Sequence, residues 1–206
     1  MRRSTSVQPE PQPVEADTSA LPREITLVRH GATEWTKSGQ HTGRTNIPLD
    51  EDGRNQAVEL GERLSEMEFD TVLTSPLMRS RETAQLAGFG DVASAAYDLH
   101  EWDYGQYEGK TTADIKRDRP GWSLFDDGCP GGETAADVGA RADRVLSMLH
   151  GYDRVALFSH GHFLRVLAAR WLELAPEEGR RLRLDPGTIS MLGWERETAV
   201  LVLWNS

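Results

Sequence analysis

The chain has 206 residues, 23 basic and 33 acidic side chains, a formal net charge of −10, one cysteine and 38% apolar content. A chain of this length buries about 70% of the surface its unfolded form exposes, so it needs no disulfide or structural metal to hold a core. The lone Cys129 excludes a disulfide framework or a multi-cysteine metal site. The acidic balance excludes a phosphate-backbone reader, so no nucleic-acid partner is expected, and no run reaches the roughly 18 apolar residues of a membrane span. Any anionic ligand must be held by a local basic pocket.

Residues 1–22 carry four of the ten prolines among Ser, Thr, Gln and Glu. Such a composition buries too little to offset its ordering entropy, which predicts a disordered tail, with one domain over 23–206. Arg2 and Arg3 begin like a signal peptide, but no apolar stretch follows them, and a cytoplasmic protein is expected. Ile25–Val28 is a β-rich run that stops at Arg29-His30-Gly31. Ala57, Leu60, Leu64 and Met67 recur at helical spacing, predicting a helix over 51–67. Residues 71–75 read as a strand ended by Pro76, and 77–87 as a second helix. Glu101 to Glu133 carries few regular signals and reads as a long insertion.

Thr134-Ala-Ala-Asp137 fits a capping box, and Val138, Ala142, Val145 and Leu149 form the buried stripe of the helix behind it. Residues 154–159 read as a strand that stops at His160-Gly161, before a helix over 162–172. Two apolar runs, 189–194 and 199–204, form a closing hairpin. Strands alternating with helices imply an α/β three-layer sandwich, with a mostly parallel central sheet and helices on both faces. Ligands of such sheets bind beyond the carboxyl ends of the strands.

Arg29, His30, Arg79 and His160 converge at those ends. Arginine forks match phosphate oxygens. A histidine among them can attack phosphorus and carry it as phosphohistidine, while a second donates hydrogen bonds to the phosphoryl oxygens. The remaining need is a buried carboxyl group that protonates the leaving oxygen and then deprotonates water, and Glu101 is the choice.

Here the chain resembles a known family. Leu27-Val28-Arg29-His30-Gly31-Ala32-Thr33-Glu34-Trp35 is similar to the signature of the histidine phosphatase superfamily, the phosphoglycerate-mutase-like proteins. Ser75-Pro76-Leu77-Met78-Arg79 with Thr83-Ala84, Glu101 before Tyr104-Gly105-Gln106-Tyr107-Glu108-Gly109, and Ser159-His160-Gly161 match its later blocks in order. The resemblance implies His30 as nucleophile, Glu101 as proton donor, and Arg29, Arg79 and His160 as the phosphate pocket. It implies the phosphoglycerate-mutase-like fold and no cofactor.

Within the family, the loop from Lys37 to Gly43, the run around Tyr104 and Gly161-His162 resemble the branch of sedoheptulose-1,7-bisphosphatase and bacterial acid phosphatases. That branch implies small phosphorylated substrates, sugar phosphates or a broad range, with Thr36, His41, Thr42, Gly43, Tyr104, Gly161 and His162 around the substrate. Mutases of the family keep an Asn, a Lys and an Arg pair where this chain has Thr36, Thr112 and Asp126-Asp127, and the two carboxylates should repel a phosphoglycerate. A phosphoglycerate mutase and a phosphoprotein phosphatase of the same fold are the alternatives. A metal site built on His30, His41, His160 and His162 is disfavoured, because two arginines beside it would oppose a cation. Glu133 reads as orienting an arginine or as a charge preceding the Thr134 cap. A homodimer is left open.

Overall fold

The computed structural model describes residues 21–206. The expected tail therefore lies outside the described residues up to position 20. Its last two residues belong with the domain: Leu21 packs against the core, and the buried Pro22 accepts a hydrogen bond from Trp194 Nε1 at 2.9 Å.

Six strands form one sheet: β1 (Glu24–Arg29), β2 (Thr71–Thr74), β3 (Ala93–Ala95), β4 (Arg154–Ser159), β5 (Ile189–Glu195) and β6 (Thr198–Leu203), in the order β3-β2-β4-β1-β5-β6. β3, β2, β4 and β1 are parallel, and the closing hairpin adds β5 and β6 antiparallel. The helices are α1 (Glu34–Ser38), α2 (Glu51–Leu64), α3 (Met78–Ala84), α4 (Thr112–Asp118), α5 (Leu124–Asp127), α6 (Ala135–Met148) and α7 (Gly161–Trp171).

Alternation along the central strands divides the core in two. Ile25, Leu27, Val155 and Leu157 pack with Val138, Ala142 and Val145 of α6 and with Phe163, Leu164 and Leu167 of α7. Val28, Ala156 and Phe158 point the other way, onto Leu60 and Leu64 of α2 and Ala84 of α3. Both faces of β1 and β4 are thus covered, which is why their sequences are unbroken apolar runs. The result is the expected three-layer sandwich.

Local differences from the sequence reading have physical causes. α2 stops at Leu64, not residue 67, and Met67 closes a turn onto the Leu64 carbonyl at 3.0 Å. α3 passes at Gln85 into a widened turn in which Gly88 takes φ 88°. Four elements went unread, one of them α5, a single turn inside the 101–133 insertion. β3 is Ala-Ser-Ala, without the branched or aromatic residues that mark strands. α1 buries no side chain and α4 only Ile115, so neither shows an apolar stripe; each is announced instead by a capping box, Thr33 with Thr36 and Thr111 with Asp114.

The register sets the site. Arg29 lies opposite Ser159, and Thr74 opposite Phe158. The ladder runs one residue further, with His30 N–H donating to the Ser159 carbonyl at 3.0 Å and Ser75 N–H to that of Phe158 at 2.9 Å. The loop after His30 is then pressed onto the first turn of α2. A Cβ on Gly53 would lie 2.0 Å from the Ala32 carbonyl oxygen, and one on Gly31 2.2 Å from that of Gly53. Gly53→Ala, ordinarily stabilising in a helix by roughly 0.5–1 kcal/mol, should here destabilise by about 1–3 kcal/mol. Urea unfolding checks this, and a midpoint at or above wild type would contradict the contact.

Candidate active site

His30 is buried, and two hydrogen bonds agree on its protonation. Its Nδ1 lies 2.8 Å from the Gly31 carbonyl, so Nδ1 carries the proton. Its Nε2 accepts from Arg79 Nε at 3.2 Å and so carries the lone pair. Burial first, then the guanidiniums of Arg79 and Arg29, hold the ring well below the ordinary histidine value, which keeps it neutral. Arg79 is fully buried, and its remaining donors reach the carbonyls of Thr42, Gly43 and Thr45, each at 3.0 Å. Arg29 donates from Nη1 to the Leu184 carbonyl, whereas its Nε is buried with no partner in the protein.

The His160 ring lies edge-on to that of His30, with centroids 5.1 Å apart. Its Nε2 is 2.7 Å from Ser75 Oγ, which also accepts the Leu77 N–H at 3.3 Å. Nε2 is the one acceptor within reach of the buried serine proton, so the hydroxyl donates to it and the ring proton sits on Nδ1, a buried atom without a partner. Burial, Arg79 and His30 hold this imidazole neutral as well. Ser75 is a positioning residue that the sequence reading used only as a strand end.

Glu101, 5% exposed, sits on the N-terminus of α7. Its Oε1 accepts from Phe163 N–H at 2.9 Å and from Trp102 N–H at 2.8 Å, and its Oε2 from His162 N–H at 3.1 Å. This is the favourable end of the helix for a carboxylate. The segment that carries Glu101 is held from behind by Arg141. That guanidinium donates to the carbonyls of Asp98 (2.8 Å), His100 (2.6 Å) and Glu101 (3.3 Å). It is also bidentate with Glu133, at 3.0 and 2.9 Å. Glu133 in turn accepts the Asp103 N–H at 2.8 Å, so of its two readings the one that orients an arginine holds. Arg141 itself was missed. The buried face of α6 on which it lies was read for apolar residues only.

A cleft of about 180 Å³ opens over His30, Arg29 and Glu101 and is lined further by Trp35, Thr36, Gln40, His41, Thr42, Tyr104 and His162. Tyr104 is buried, its hydroxyl 2.7 Å from His162 Nδ1, and His41 stacks on it with centroids 4.8 Å apart. Trp102 is wholly buried, donating to the Glu133 carbonyl, and is a core anchor. A larger groove, about 960 Å³ along α3 and β3, contains none of these residues.

Several expected ligand contacts are corrected by this geometry. Gly43 does not line the cleft: its N–H is turned onto Glu108 Oε1 at 2.9 Å and its carbonyl onto Arg79. A Cβ there would meet Glu108, Trp102 and Tyr104 within 3.0 Å, so the glycine serves packing. Thr36 lines the cleft, but its hydroxyl donates to the Thr33 carbonyl and accepts the Thr33 N–H, both at 2.9 Å, and is spent on the α1 cap. Gly161 lies behind Arg29, where a Cβ would come within 2.9 Å of the guanidinium carbon. Asp126 and Asp127 are not free carboxylates at the cleft. Asp126 pairs with Arg180 (2.8 and 2.7 Å) and Asp127 with Arg119 (2.8 Å), so neither is available to repel a phosphoglycerate.

The arrangement defines a class: two neutral histidines and two arginines at the ends of parallel strands, with a carboxylate across the cleft. The description of the histidine phosphatase superfamily (branch 1) matches residues 25–206, and the chain belongs to that family. It is 43% identical over 187 residues to an acid phosphatase of Mycobacterium tuberculosis, covering 87% of this chain and 92% of that one. It is 35% identical over 194 residues to the sedoheptulose 1,7-bisphosphatase of Saccharomyces cerevisiae, covering 78% and 71%. Probable phosphoglycerate mutases of Salmonella match at 29% identity, covering 85% and 92%. The solved structure of an open reading frame from Mycobacterium tuberculosis superimposes with a TM-score of 0.84 at 38% identity, covering 89% and 97%. The enzyme is a phosphatase. Among the described residues no helix is long and apolar enough to cross a membrane.

The buried imidazoles bear on stability. His30, His160 and His162 lie well below the ordinary value and His41 is pushed down to about 4, in each case chiefly by burial. Unfolded, each binds a proton near pH 6.5, so below that pH the unfolded chain takes up more protons than the folded one. The stability these neutral rings contribute is complete above pH 6.5 and is lost toward pH 4. Each fully engaged ring costs about 1.4 kcal/mol per pH unit. Urea midpoints should therefore fall steadily from pH 7 to pH 4.5, and a flat profile would contradict the neutral assignment.

Proposed function

We propose that the chain hydrolyses small phosphomonoesters, sugar phosphates among them, through a phosphohistidine on His30 and without a metal. The observation that carries this reading is the tautomer of His30, with Nδ1–H spent on the Gly31 carbonyl and a lone pair on Nε2. Nε2 attacks phosphorus and the bond to the ester oxygen breaks, with Glu101, which enters the cycle as the carboxylic acid protonated on Oε2, giving that oxygen its proton. Water then attacks phosphorus, Glu101 takes a proton from it, the P–N bond breaks, and inorganic phosphate leaves with His30 restored.

The phosphoryl oxygens are assigned to donors that lack a partner in the protein, Arg29 Nε and His160 Nδ1, both buried. Arg79 joins them by shifting Nε from His30 to the arriving phosphate. Buried donors without acceptors are costly, and an anion relieves that cost. Ser75, Arg141 and Glu133 support the reading as residues that hold His160 and Glu101 in place. The name of the mycobacterial relative, an acid phosphatase, supports phosphomonoester hydrolysis, and that of the yeast relative supports a sugar as the alcohol half, although the substrate it names carries a second phosphate.

Two variants test the steps separately. His30→Ala should abolish turnover and leave no label on protein denatured in alkali, where a phosphohistidine survives. Label and turnover at wild-type levels would rule out the mechanism. Glu101→Gln should slow alkyl phosphates by about a hundredfold to ten-thousandfold, while p-nitrophenyl phosphate, whose leaving group needs no proton, falls far less. Equal loss on both would remove Glu101 from its role. Activity should persist in EDTA.

A further inference from the structure

Past the atoms that face phosphorus, the cleft wall consists of Trp35, Thr36, Gln40, His41, Tyr104 and His162. It offers the Trp35 ring and a set of neutral groups that each make a bond within the protein and keep further hydrogen-bonding capacity: Gln40 with Gly109 and Ser38, Thr42 with the Gln40 carbonyl, and His162 with Tyr104. Most cations on the elements around it are already engaged, and the exposed Lys116 of α4 is not part of the wall. Lys37 is 2.7 Å from Asp50 and 2.6 Å from Asp52, and Arg44 is 2.8 Å from Asp103. Arg119 pairs with Asp127 at 2.8 Å and Arg180 with Asp126 at 2.7 Å. Arg165 donates to the Gly179 and Arg180 carbonyls, each at 3.0 Å, and lies over the Phe125 ring. Lys110 sits 5.6 Å over the Tyr107 ring and is not part of the wall. The two imidazoles of the wall, both held neutral by burial, add no charge at neutral pH. Among the described residues, then, the wall outside the phosphate pocket holds no unpaired cation.

We propose that this wall selects phosphomonoesters whose alcohol half is an uncharged polyol, and disfavours those that carry a carboxylate or a second phosphate there. The proposal rests on the phosphatase reading and deepens it. A negative charge brought into the cleft would lose part of its hydration and gain no counter-ion, unless it broke one of the ion pairs around the rim. A neutral polyol loses less, since Gln40, Thr42, His41 and His162 can replace water at its hydroxyls and Trp35 can cover its C–H face. Discrimination against a phosphoglycerate thus comes from the absence of a free cation and not from repulsion by Asp126 and Asp127.

Substrate pairs that differ by one charged group provide the test. Initial rates of phosphate release at pH 7 are compared for glycerol 3-phosphate against 3-phosphoglycerate and for fructose 6-phosphate against fructose 1,6-bisphosphate, with p-nitrophenyl phosphate as reference. The neutral member of each pair should have a kcat/KM higher by about tenfold or more. Gln40→Arg, which places a cation on the wall, should narrow the gap for 3-phosphoglycerate. Turnover of p-nitrophenyl phosphate with equal or better use of the charged members would overturn the proposal alone, as would isomerisation of 3-phosphoglycerate. No release from any compound, p-nitrophenyl phosphate included, would overturn the phosphatase reading and this proposal with it.

Discussion

An imidazole buried at the floor of a cleft beside two guanidiniums is held neutral, and most of the structure around His30 follows from keeping it that way. Two cations next to a third ionisable base would normally repel one another apart. Here the strands fix them: Arg29 and His30 are consecutive at the end of β1, and Arg79 is carried in by the first turn of α3. Arg79 is tolerated because carbonyls of Thr42, Gly43 and Thr45 surround it, and that loop is gripped on its amide side by Glu108. One buried charge thus dictates the course of a loop some 35 residues away in the chain.

The same logic operates across the cleft. Glu101 is held at the N-terminus of α7, and Arg141 and Glu133 secure the segment behind it with six hydrogen bonds among them. In this layer the buried side-chain atoms without a protein partner are Arg29 Nε and His160 Nδ1, which face the reaction, and His100 Nε2 on the segment behind Glu101. Buried polar networks of this kind fix geometry well when complete and fail badly when one member is removed. The segment behind Glu101 is accordingly held by many bonds, while Arg29 and His160 keep open donors on the side of the reaction.

Much of this was legible in the chain. The strands β1 and β4 announce themselves as apolar runs because both faces are covered, and the polar residues that end them mark the crevice. Arg29, His30, Arg79, Glu101 and His160 do come together at the strand ends, as the sequence implies. What it could not convey is the direction of a hydrogen bond. Thr36 and Gly43 stand in the right loop, yet one hydroxyl turns to its own helix cap and one amide to Glu108. Asp126 looked like a free charge because its partner Arg180 is 54 residues away, a separation that leaves no local signal, and Asp127 because the turn that folds Arg119 back onto it, eight residues distant, has no helical or strand period. Short elements without a buried stripe, α1 and α4, escaped for the same reason: their caps are local but their packing is slight.

The neck of the Glu101–Glu133 insertion has a consequence of its own. Asp103 and Glu133 are tied twice, Glu133 N–H to the Asp103 carbonyl at 2.9 Å and Asp103 N–H to the Glu133 carboxylate, and the Gln106 N–H reaches Pro130 at 2.9 Å. The segment between leaves and returns at one point, like a purse closed by a drawstring. Doubling the length of such a closed loop costs only about 0.6 kcal/mol in closure entropy, because its ends are already joined by bonds that do not depend on its contents. The exposed turns of this segment can thus be lengthened or shortened while the carboxylate at its base stays where it is, provided that Glu108 keeps its grip on the loop around Arg79 and Trp122, Leu124 and Phe125 keep their places in the core.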